Sequence, residues 1–302
     1  MANKTKVYFL EELMKRYGKL RKFDASLSLF ELGKGGVRIY IRYSKVHPGG
    51  RTFYGLRKED LQQLEGYPSV ICFLWEGQSE PLFVPFSDYE DVFQSILPAA
   101  DGQYKAQIYL QDDGIELYIA NAGRFNVEAY MGWQELVSLI DMSKLKEVPE
   151  LSHSQIQTLL GSIGAIKGYD IWIPANDRNK MDWSITHQFN CQDILPQSFH
   201  TVMDIISEVD VIWIERGVGK LRSLFEVEHS TPIYSGLLRF NDIHLITPNL
   251  GASYSIVSND ERRALFVRQL NRPTFKMSRL GEICTFLEYA NVFSWHRRLT
   301  NF

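Results

Sequence analysis

The sequence is poor in the features that mark disulfide-stapled, zinc-binding and membrane proteins. Its 302 residues include three cysteines, Cys72, Cys191 and Cys284, which lie far apart with no CxxC spacing and no neighbouring histidine pair. Neither a disulfide framework nor a structural zinc site is indicated, and we expect three reduced thiols in the core. No apolar run reaches the roughly 18 residues that span a bilayer, and the first residues lack the apolar segment of a signal peptide. The predicted location is cytoplasmic, with no membrane partner.

A positive charge excess, which is typical of nucleic-acid-binding proteins, is also missing, because the net charge is −3. The distribution is uneven. Residues 1–60 carry 14 Lys+Arg and 6 Asp+Glu (+8), residues 61–150 carry 4 and 15 (−11), and residues 151–302 carry 15 and 15 (0). The basic N-terminal segment is either a surface that neutralises phosphates or an ordinary solvated surface.

The length and the hydrophobic content of 45% predict about two domains with real cores. The charged, proline-containing stretch 144–150 favours a boundary that gives a strand-rich domain over 1–148 and a second domain over 149–302. In the first domain, helical spacing begins at Phe9. Strand-like runs follow at 27–32, 37–43, 69–75, 80–86, 103–110, 115–120 and 124–130.

The second domain alternates helices and strands. Ser152 and Gln155 form a capping-box pattern at the start of a helix, and Thr231 with Pro232 opens another through about residue 242. Strand-like runs occupy 169–174, 209–215, 223–229, 243–247 and 253–257. Helices are predicted at 199–207 and 260–271, the latter stopped by Pro273, and an apolar run at 282–288 closes the pattern. This order predicts an α/β (α+β) fold in which a mixed sheet is flanked by helices.

One strand of the first domain carries cations and an aromatic side chain on one face. Arg38, Tyr40 and Arg42 alternate with apolar residues, and Lys45 and Arg51 continue the positive charge toward a Gly-Gly turn. We predict that these five residues contact DNA. The alternative is a half-buried strand with a solvated outer face.

Three carboxylates are predicted to converge on one hairpin of the second domain. If Gly217 to Gly219 forms a three-residue turn, Asp210 lies opposite Glu226, and side-chain alternation puts Glu228 on the same face. Like charges placed this close repel unless a cation binds them. Oxygen ligands in an open site suit Mg²⁺, which can assist hydrolysis of a phosphodiester. The alternative is a set of solvent-facing carboxylates on an antiparallel sheet.

The second domain has an Asp on its second strand and an acidic motif on its third strand, followed by a helix. In this order it resembles the PD-(D/E)XK nuclease superfamily. Asp210 matches the first acid and Glu226 the second, whereas Glu228 stands at the lysine position, as it does in some restriction endonucleases of this fold. The resemblance implies a restriction-endonuclease-like catalytic domain that cleaves double-stranded DNA with Mg²⁺. It also implies catalytic Asp210, Glu226 and Glu228, with metal ligands Asp210, Glu226 and the Val227 carbonyl.

The function predicted from these observations is a type II restriction enzyme. Because one site per chain cuts one strand, a homodimer is expected. Arg239, two turns into the helix after the motif, is predicted either to contact a phosphate or to pair with Asp242. Two alternative functions stay open, which are a catalytically silent DNA-binding protein of the same fold and a structure-specific repair or recombination nuclease.

Overall fold

The computed structural model describes residues 4–23, 26–33, 36–111, 114–144, 149–229, 232–248 and 250–300. The chain divides into two compact units, Met1–Lys146 and Glu147–Phe302. The boundary predicted between 148 and 149 falls at the edge of residues that lie outside this description. The predicted α/β class is confirmed, because mixed sheets are flanked by helices. No helix in the described ranges is long and apolar enough to cross a membrane.

The first unit contains two sheets and the helices that flank them. The helices are α1 (Lys4–Tyr17), α2 (Lys58–Gln62), α3 (Phe86–Ser95) and α4 (Gln134–Lys144), and the strands are β1 (Leu20–Lys22), β2 (Leu29–Leu32), β3 (Val37–Ser44), β4 (Tyr54–Arg57), β5 (Ser69–Trp75), β6 (Leu82–Pro85), β7 (Gln103–Gln111), β8 (Gly114–Ile119) and β9 (Gly123–Asn126). One sheet has the order β1-β2-β3-β5-β6, with β3 and β5 parallel. The other, β4-β7-β8-β9, is antiparallel throughout.

Strand β3 is buried on both sides over most of its length, so the alternative of a half-buried strand with a solvated outer face is wrong for this strand. Val37, Ile39 and Ile41 pack into one hydrophobic cluster, while Tyr40 packs into another on the opposite side. Because hydrophobic clusters cover both faces of the sheet here, a polar position of β3 such as Arg38 also faces protein. The strand-like runs themselves are confirmed, with ends that shift by a few residues.

The second unit is built on one mixed sheet. Its helices are α5 (His153–Ile166), α6 (Ala175–Arg178), α7 (Met203–Ile206), α8 (Ile233–Ile246), α9 (Arg263–Leu270), α10 (Pro273–Met277), α11 (Leu280–Ile283) and α12 (Tyr289–Thr300), and its strands are β10 (Asp170–Trp172), β11 (Val211–Ile214), β12 (Leu221–Val227), β13 (Ser253–Ser258) and β14 (Cys284–Glu288). The sheet has the order β10-β11-β12-β13-β14, antiparallel as far as β12 and parallel from β12 to β14.

Alternation of apolar residues lets this sheet bury both faces. Ile212, Leu224 and Ile256 pack with Leu237 of α8 in one core. On the other face, Trp213 donates its indole N–H to the Leu160 carbonyl of α5 at 3.0 Å and packs edge-on against Trp295 of α12. Gly164 permits this close approach, because a Cβ there would lie 2.5 Å from the Trp213 indole nitrogen. Helix α5, whose first residues reach the site described below, is therefore held tightly on the sheet.

Several local predictions are corrected by the structure. The capping box of Ser152 and Gln155 is confirmed, with bonds of 3.2 and 2.9 Å. The run 243–247 mostly completes α8 instead of forming a strand, because Ile243 continues the buried helical stripe of Leu237 and Phe240. Pro273 begins α10, and Thr231, predicted as the cap of α8, lies outside the described residues. The thiols are free, and Cys72 and Cys284 are buried as predicted, but Cys191 is only half-buried.

Candidate active site

The hairpin of β11 and β12 has the predicted register at the end that carries the carboxylates. Val211 pairs with Phe225 and Ile212 with Leu224, so the next position along places Asp210 opposite Glu226. Near the turn the register changes by one residue, between Trp213 and Ile214. Glu215 then pairs with Lys220, so the turn runs over residues 216–219 and is not the three-residue turn predicted. Asp210 and Glu226 still lie opposite each other as predicted, because the irregularity in strand pairing compensates for the longer turn.

Asp210 is anchored to the neighbouring strand and to α5. Its Oδ2 accepts a hydrogen bond of 2.7 Å from the main-chain N–H of Val227. Its Oδ1 lies 3.5 Å from His153 Nε2 and 3.5 Å from Gln157 Nε2, both on the first turns of α5. The interaction with Asp210, opposed by burial, raises the pKa of His153, and the nearby main chain of Val227 acts in the same direction as Asp210. His153 thus faces Asp210 and Val227, two of the three residues predicted as metal ligands.

Glu226 is buried at the centre of the site with one oxygen paired. Its Oε2 accepts a hydrogen bond of 2.6 Å from Arg239, whose other terminal nitrogen lies 3.3 Å from Glu208. Its Oε1 is buried and has no hydrogen-bond partner among the described residues. Burial, followed by the charge of Asp210, raises the pKa of Glu226 to about 8, although Arg239 favours the charged form. A buried carboxylate in this setting lacks sufficient compensating positive charge.

Glu228 lies beside Glu226 against α8. A Cβ built on Gly236 would lie 2.8 Å from Glu228 Oε1 and 3.1 Å from Glu226 Cβ, so both glutamates face the same helical glycine. The Glu228 carbonyl accepts hydrogen bonds from Ser258 and from Arg262, the latter at 2.8 Å. Because β12, β13 and β14 are parallel, their carboxyl ends meet at this edge of the sheet.

Tyr289 and Arg262 close the site on the side of β13 and β14. The Tyr289 ring stacks on His229 with centroids 6.0 Å apart, and its buried hydroxyl has no hydrogen-bond partner among the described residues. Burial raises the pKa of Tyr289, and the charges of Glu228 and Asp210 act in the same direction. Arg262 donates to the His229 carbonyl as well as to that of Glu228. His229 is thus held by packing, as expected for a structural residue.

The site offers oxygen ligands without a closed cage. In the described ranges, no group of three or more His, Cys, Asp and Glu side chains is arranged to hold a metal ion. Mg²⁺, however, is commonly bound by one or two carboxylates together with water and substrate phosphates. The unpartnered buried oxygens of Glu226 and Gln157 beside Asp210 fit such an ion, because each would otherwise remain desolvated without compensation.

The cations predicted to contact DNA occupy very different surroundings. Arg38 is 1% exposed, is hydrogen-bonded to the Gln63 carbonyl, and stacks over Tyr67 with its guanidinium carbon 3.2 Å from the ring centroid. The Tyr40 hydroxyl is buried and accepts a hydrogen bond from the Arg57 N–H. These two residues are therefore parts of a core and do not lie on a surface that DNA could contact.

The remaining predicted contacts lie nearer the surface. Arg42 is half-buried, whereas Lys45 and Arg51 are exposed on the segment after β3, so a DNA contact by these residues stays a prediction. Arg239 pairs with Glu226 and Glu208 and not with Asp242, as one alternative had it. Its side chain is 24% exposed, so part of the guanidinium remains accessible.

Sequence reasoning missed His153 and Gln157, which approach Asp210 from α5. The capping box had located the start of this helix, and the two residues are four positions apart, on one helical face. That spacing was the available signal. The sequence does not show that this end of the helix lies close to the carboxylates, because these follow more than fifty residues later.

Comparison with known proteins places residues 135–298 within one family, the C-terminal domain of the type II restriction enzyme NmeDI. The matched range contains Asp210, Glu226, Glu228, His153 and Arg239. The type II restriction enzyme NmeDI of Neisseria meningitidis serogroup C is 31% identical over 134 residues, which cover 41% of this chain and 37% of that enzyme. The matched part is thus little more than a third of the relative's length, and no solved structure matches the chain. Since the family match spans more than half of the residues, the chain belongs to the family of the NmeDI restriction-enzyme C-terminal domain.

Proposed function

We propose that this protein is a divalent-cation-dependent endonuclease that cleaves double-stranded DNA as a type II restriction enzyme. The observation that carries the proposal is the buried, unpartnered Oε1 of Glu226, a residue that lies opposite Asp210 inside the range matched by a restriction-enzyme family. A carboxylate pair with this surplus of negative charge suits a cation better than it suits a structural role. The activity of the whole protein is part of the proposal, because the match to NmeDI covers 37% of that enzyme.

Each residue of the site has a separate part in the proposed reaction. Asp210, Glu226 and the Val227 carbonyl would hold Mg²⁺, which when bound stabilises developing negative charge and lowers the pKa of a water ligand. Glu228 is proposed to orient the attacking water and to accept its proton. This role differs from that of the superfamily lysine, because a carboxylate cannot donate positive charge to the phosphate.

Arg239 is proposed to contact a phosphate of the substrate. Its guanidinium holds Glu226 with one nitrogen, and its other terminal nitrogen points to Glu208, which is 66% exposed. An exposed ion pair contributes little to stability, so exchanging Glu208 for a phosphate costs little. A planar guanidinium can bind a carboxylate on one edge and a phosphate on another.

Two copies of the chain are proposed to act together. One site of this kind hydrolyses one strand, and a double-strand break then requires a second site of opposite polarity, which a two-fold dimer provides. The mass of the DNA-bound complex in Ca²⁺, measured by sedimentation, tests this part of the proposal. A single chain on each duplex would contradict it.

One observation favours a second function, that of a catalytically silent DNA-binding protein. Arg239 already supplies a cation to Glu226, and Glu228 replaces the lysine of the superfamily motif. If this pair satisfies the site, no metal is needed and no bond is cut. Under that reading the protein binds DNA in the absence of any divalent ion.

Cleavage of supercoiled plasmid separates these functions. We expect Mg²⁺-dependent cleavage that EDTA abolishes, and its loss in Asp210→Ala and Glu226→Ala with DNA binding in Ca²⁺ retained. Discrete fragments from a genome-length duplex would support the restriction reading, whereas preference for junctions or flaps would favour repair. Full activity of both alanine variants, or wild-type cleavage in EDTA, would overturn the assignment, and binding without cleavage would favour the silent protein.

A further inference from the structure

The antiparallel sheet of the first unit has one face in the core and one face that carries polar, aromatic and cationic side chains. Tyr104, Ala106 and Ile108 of β7 are buried in the hydrophobic cluster, whereas Lys105, Gln107 and Tyr109 alternate with them on the other side. We call this second side the outer sheet face. Its central residues are Arg51, Lys105, Gln107, Tyr109, Tyr118 and Arg124.

Strand pairing arranges these residues in rows across the sheet. Gln107 pairs with Tyr118, and Tyr118 pairs with Arg124, so that these three side chains form one row. Arg51 bridges to Tyr109, which begins a second row. The Arg124 guanidinium carbon lies 4.1 Å from the centroid of the Tyr109 ring and ties the two rows together.

The positive charge of this region of the chain is concentrated on the outer sheet face. Between residues 61 and 143 the sequence has 13 Asp+Glu and two Lys+Arg, and those two are Lys105 and Arg124. Arg51 and the exposed Arg57, which pairs with Gln103 at the end of β7, add to them. Both cations of this acidic segment lie on one face, and each pairs with a carboxylate, Lys105 with Asp101 and Arg124 with Glu116.

The arginine chemistry of this face suits a polyanion with stacked rings. Arg124 is 47% exposed and pairs with Glu116 at 3.0 Å, an exposed contact that a phosphate can replace at little cost. A tyrosine under the guanidinium fixes its plane while leaving its N–H groups available. Arginine side chains can also read base edges in the major groove.

We propose that the outer sheet face is a docking surface for double-stranded DNA, with Arg51 and Arg124 as phosphate or base contacts. The proposal rests on the proposed function, because it assumes that DNA is the substrate. It replaces Arg38 and Tyr40 with residues on a different sheet of the same unit.

The chain offers a matched control for Arg124. Arg16 on α1 pairs with Glu12 at 2.7 Å, has a side-chain exposure of 45%, and stacks over Trp133 with its guanidinium carbon 4.3 Å from the ring centroid. It therefore reproduces the ion pair, the exposure and the aromatic contact of Arg124 away from the outer sheet face. A difference in DNA affinity between Arg124→Ala and Arg16→Ala would therefore come from the location of the charge and not from its ion pair, exposure or aromatic contact.

The test is fluorescence anisotropy with a short random-sequence duplex in Ca²⁺, over a range of salt concentrations. Arg124→Ala should weaken binding several-fold and Arg51→Ala/Arg124→Ala more, with the log–log salt slope falling by about one for each lost phosphate contact. Arg124→Lys should retain part of the affinity, and Arg16→Ala should match wild type. Thermal unfolding of each variant confirms that the fold is intact.

Equal affinities of Arg124→Ala and Arg16→Ala would overturn this inference and leave the proposed nuclease untouched, because the plasmid assay of Asp210→Ala tests that separately. Failure of the wild-type protein to bind any duplex would overturn both. Loss of binding in Arg16→Ala to the same extent would show that charge anywhere on the unit suffices, which also contradicts a docking face.

Discussion

The carboxylate of Asp210 accepts the main-chain N–H of Val227 at 2.7 Å, which ties the first acid of the site to the backbone between the two glutamates. This bond fixes one oxygen of Asp210 and leaves the other toward His153 and Gln157. The site is thus held by backbone on one side and by a helix terminus on the other.

His153 lies where a cation bound by Asp210 and Val227 would compete with it, so the imidazole should weaken metal binding. We expect His153→Ala to bind Mn²⁺ several-fold more tightly than wild type in isothermal titration, because no side chain has to leave. His200→Ala, which removes an exposed histidine, is the control. Weaker Mn²⁺ binding by His153→Ala would instead show that the imidazole supports binding of the cation.

Glu226 should make the stability of the protein depend on pH in the absence of metal. Its pKa is raised to about 8 from 4.5, so its contribution to stability is fully present below about 4.5 and is lost as the pH rises through 8. Glu226→Gln does not titrate. Relative to wild type, its Tm in EDTA should therefore increase with pH and exceed the wild-type value most clearly at pH 9.

The size of this effect is measurable, since about 1 kcal/mol shifts Tm by roughly 2–4 °C in a domain of this size. Glu208→Gln removes the exposed partner of the same arginine and serves as the control. Its profile should run parallel to that of wild type. A Glu226→Gln profile that also runs parallel would mean that the wild-type carboxylate is not held in its neutral form.

Glu228 should affect the chemical step more than the binding of DNA. Glu228→Gln keeps the shape and removes the base, so plasmid cleavage should fall by roughly 10²-fold or more. Glu228→Lys introduces the lysine of the PD-(D/E)XK motif that this segment resembles, and we expect it to support cleavage better than glutamine does. Wild-type rates in Glu228→Gln, with DNA affinity unchanged, would remove Glu228 from the mechanism.

Gly236 should be intolerant of even a methyl group, although alanine generally stabilises a helix interior by about 1 kcal/mol relative to glycine. A Cβ there would lie 2.8 Å from Glu228 Oε1 and 3.0 Å from Ile256 Cδ1. We expect Gly236→Ala to lose about 1–3 kcal/mol of stability and most of its cleavage activity. Gly281→Ala, whose Cβ would meet Leu270 at an ordinary 3.4 Å, is the control for chemical unfolding.

The hairpin could be predicted from the sequence because its strands bury both faces and carry charge at one end. Asp210 and Glu226 are flanked by apolar residues whose alternation specifies the pairing. The length of the turn is harder to predict, since glycines permit several loop lengths at similar conformational free energy. Helix α8 was predicted too short for a related reason, because a short apolar run such as 243–247 fits a strand or a buried helix equally well.

The surroundings of the cations could not be predicted from local pattern. Arg38 looks like a solvent-facing residue in its strand, yet Glu31, Gln63 and Tyr67 from other segments enclose it. The place of His153 in the site likewise depends on residues that lie more than fifty positions away in the sequence. Both depend on tertiary contacts, which alternation within a single strand or helix does not encode.

The ladder irregularity between Trp213 and Ile214 separates the turn of the hairpin from its carboxylates. Without it, the four-residue turn would place Asp210 on the opposite side of the sheet from Glu226 and Glu228. The extra residue of β12 beside the turn compensates for the four-residue turn, so that Asp210 stays opposite Glu226.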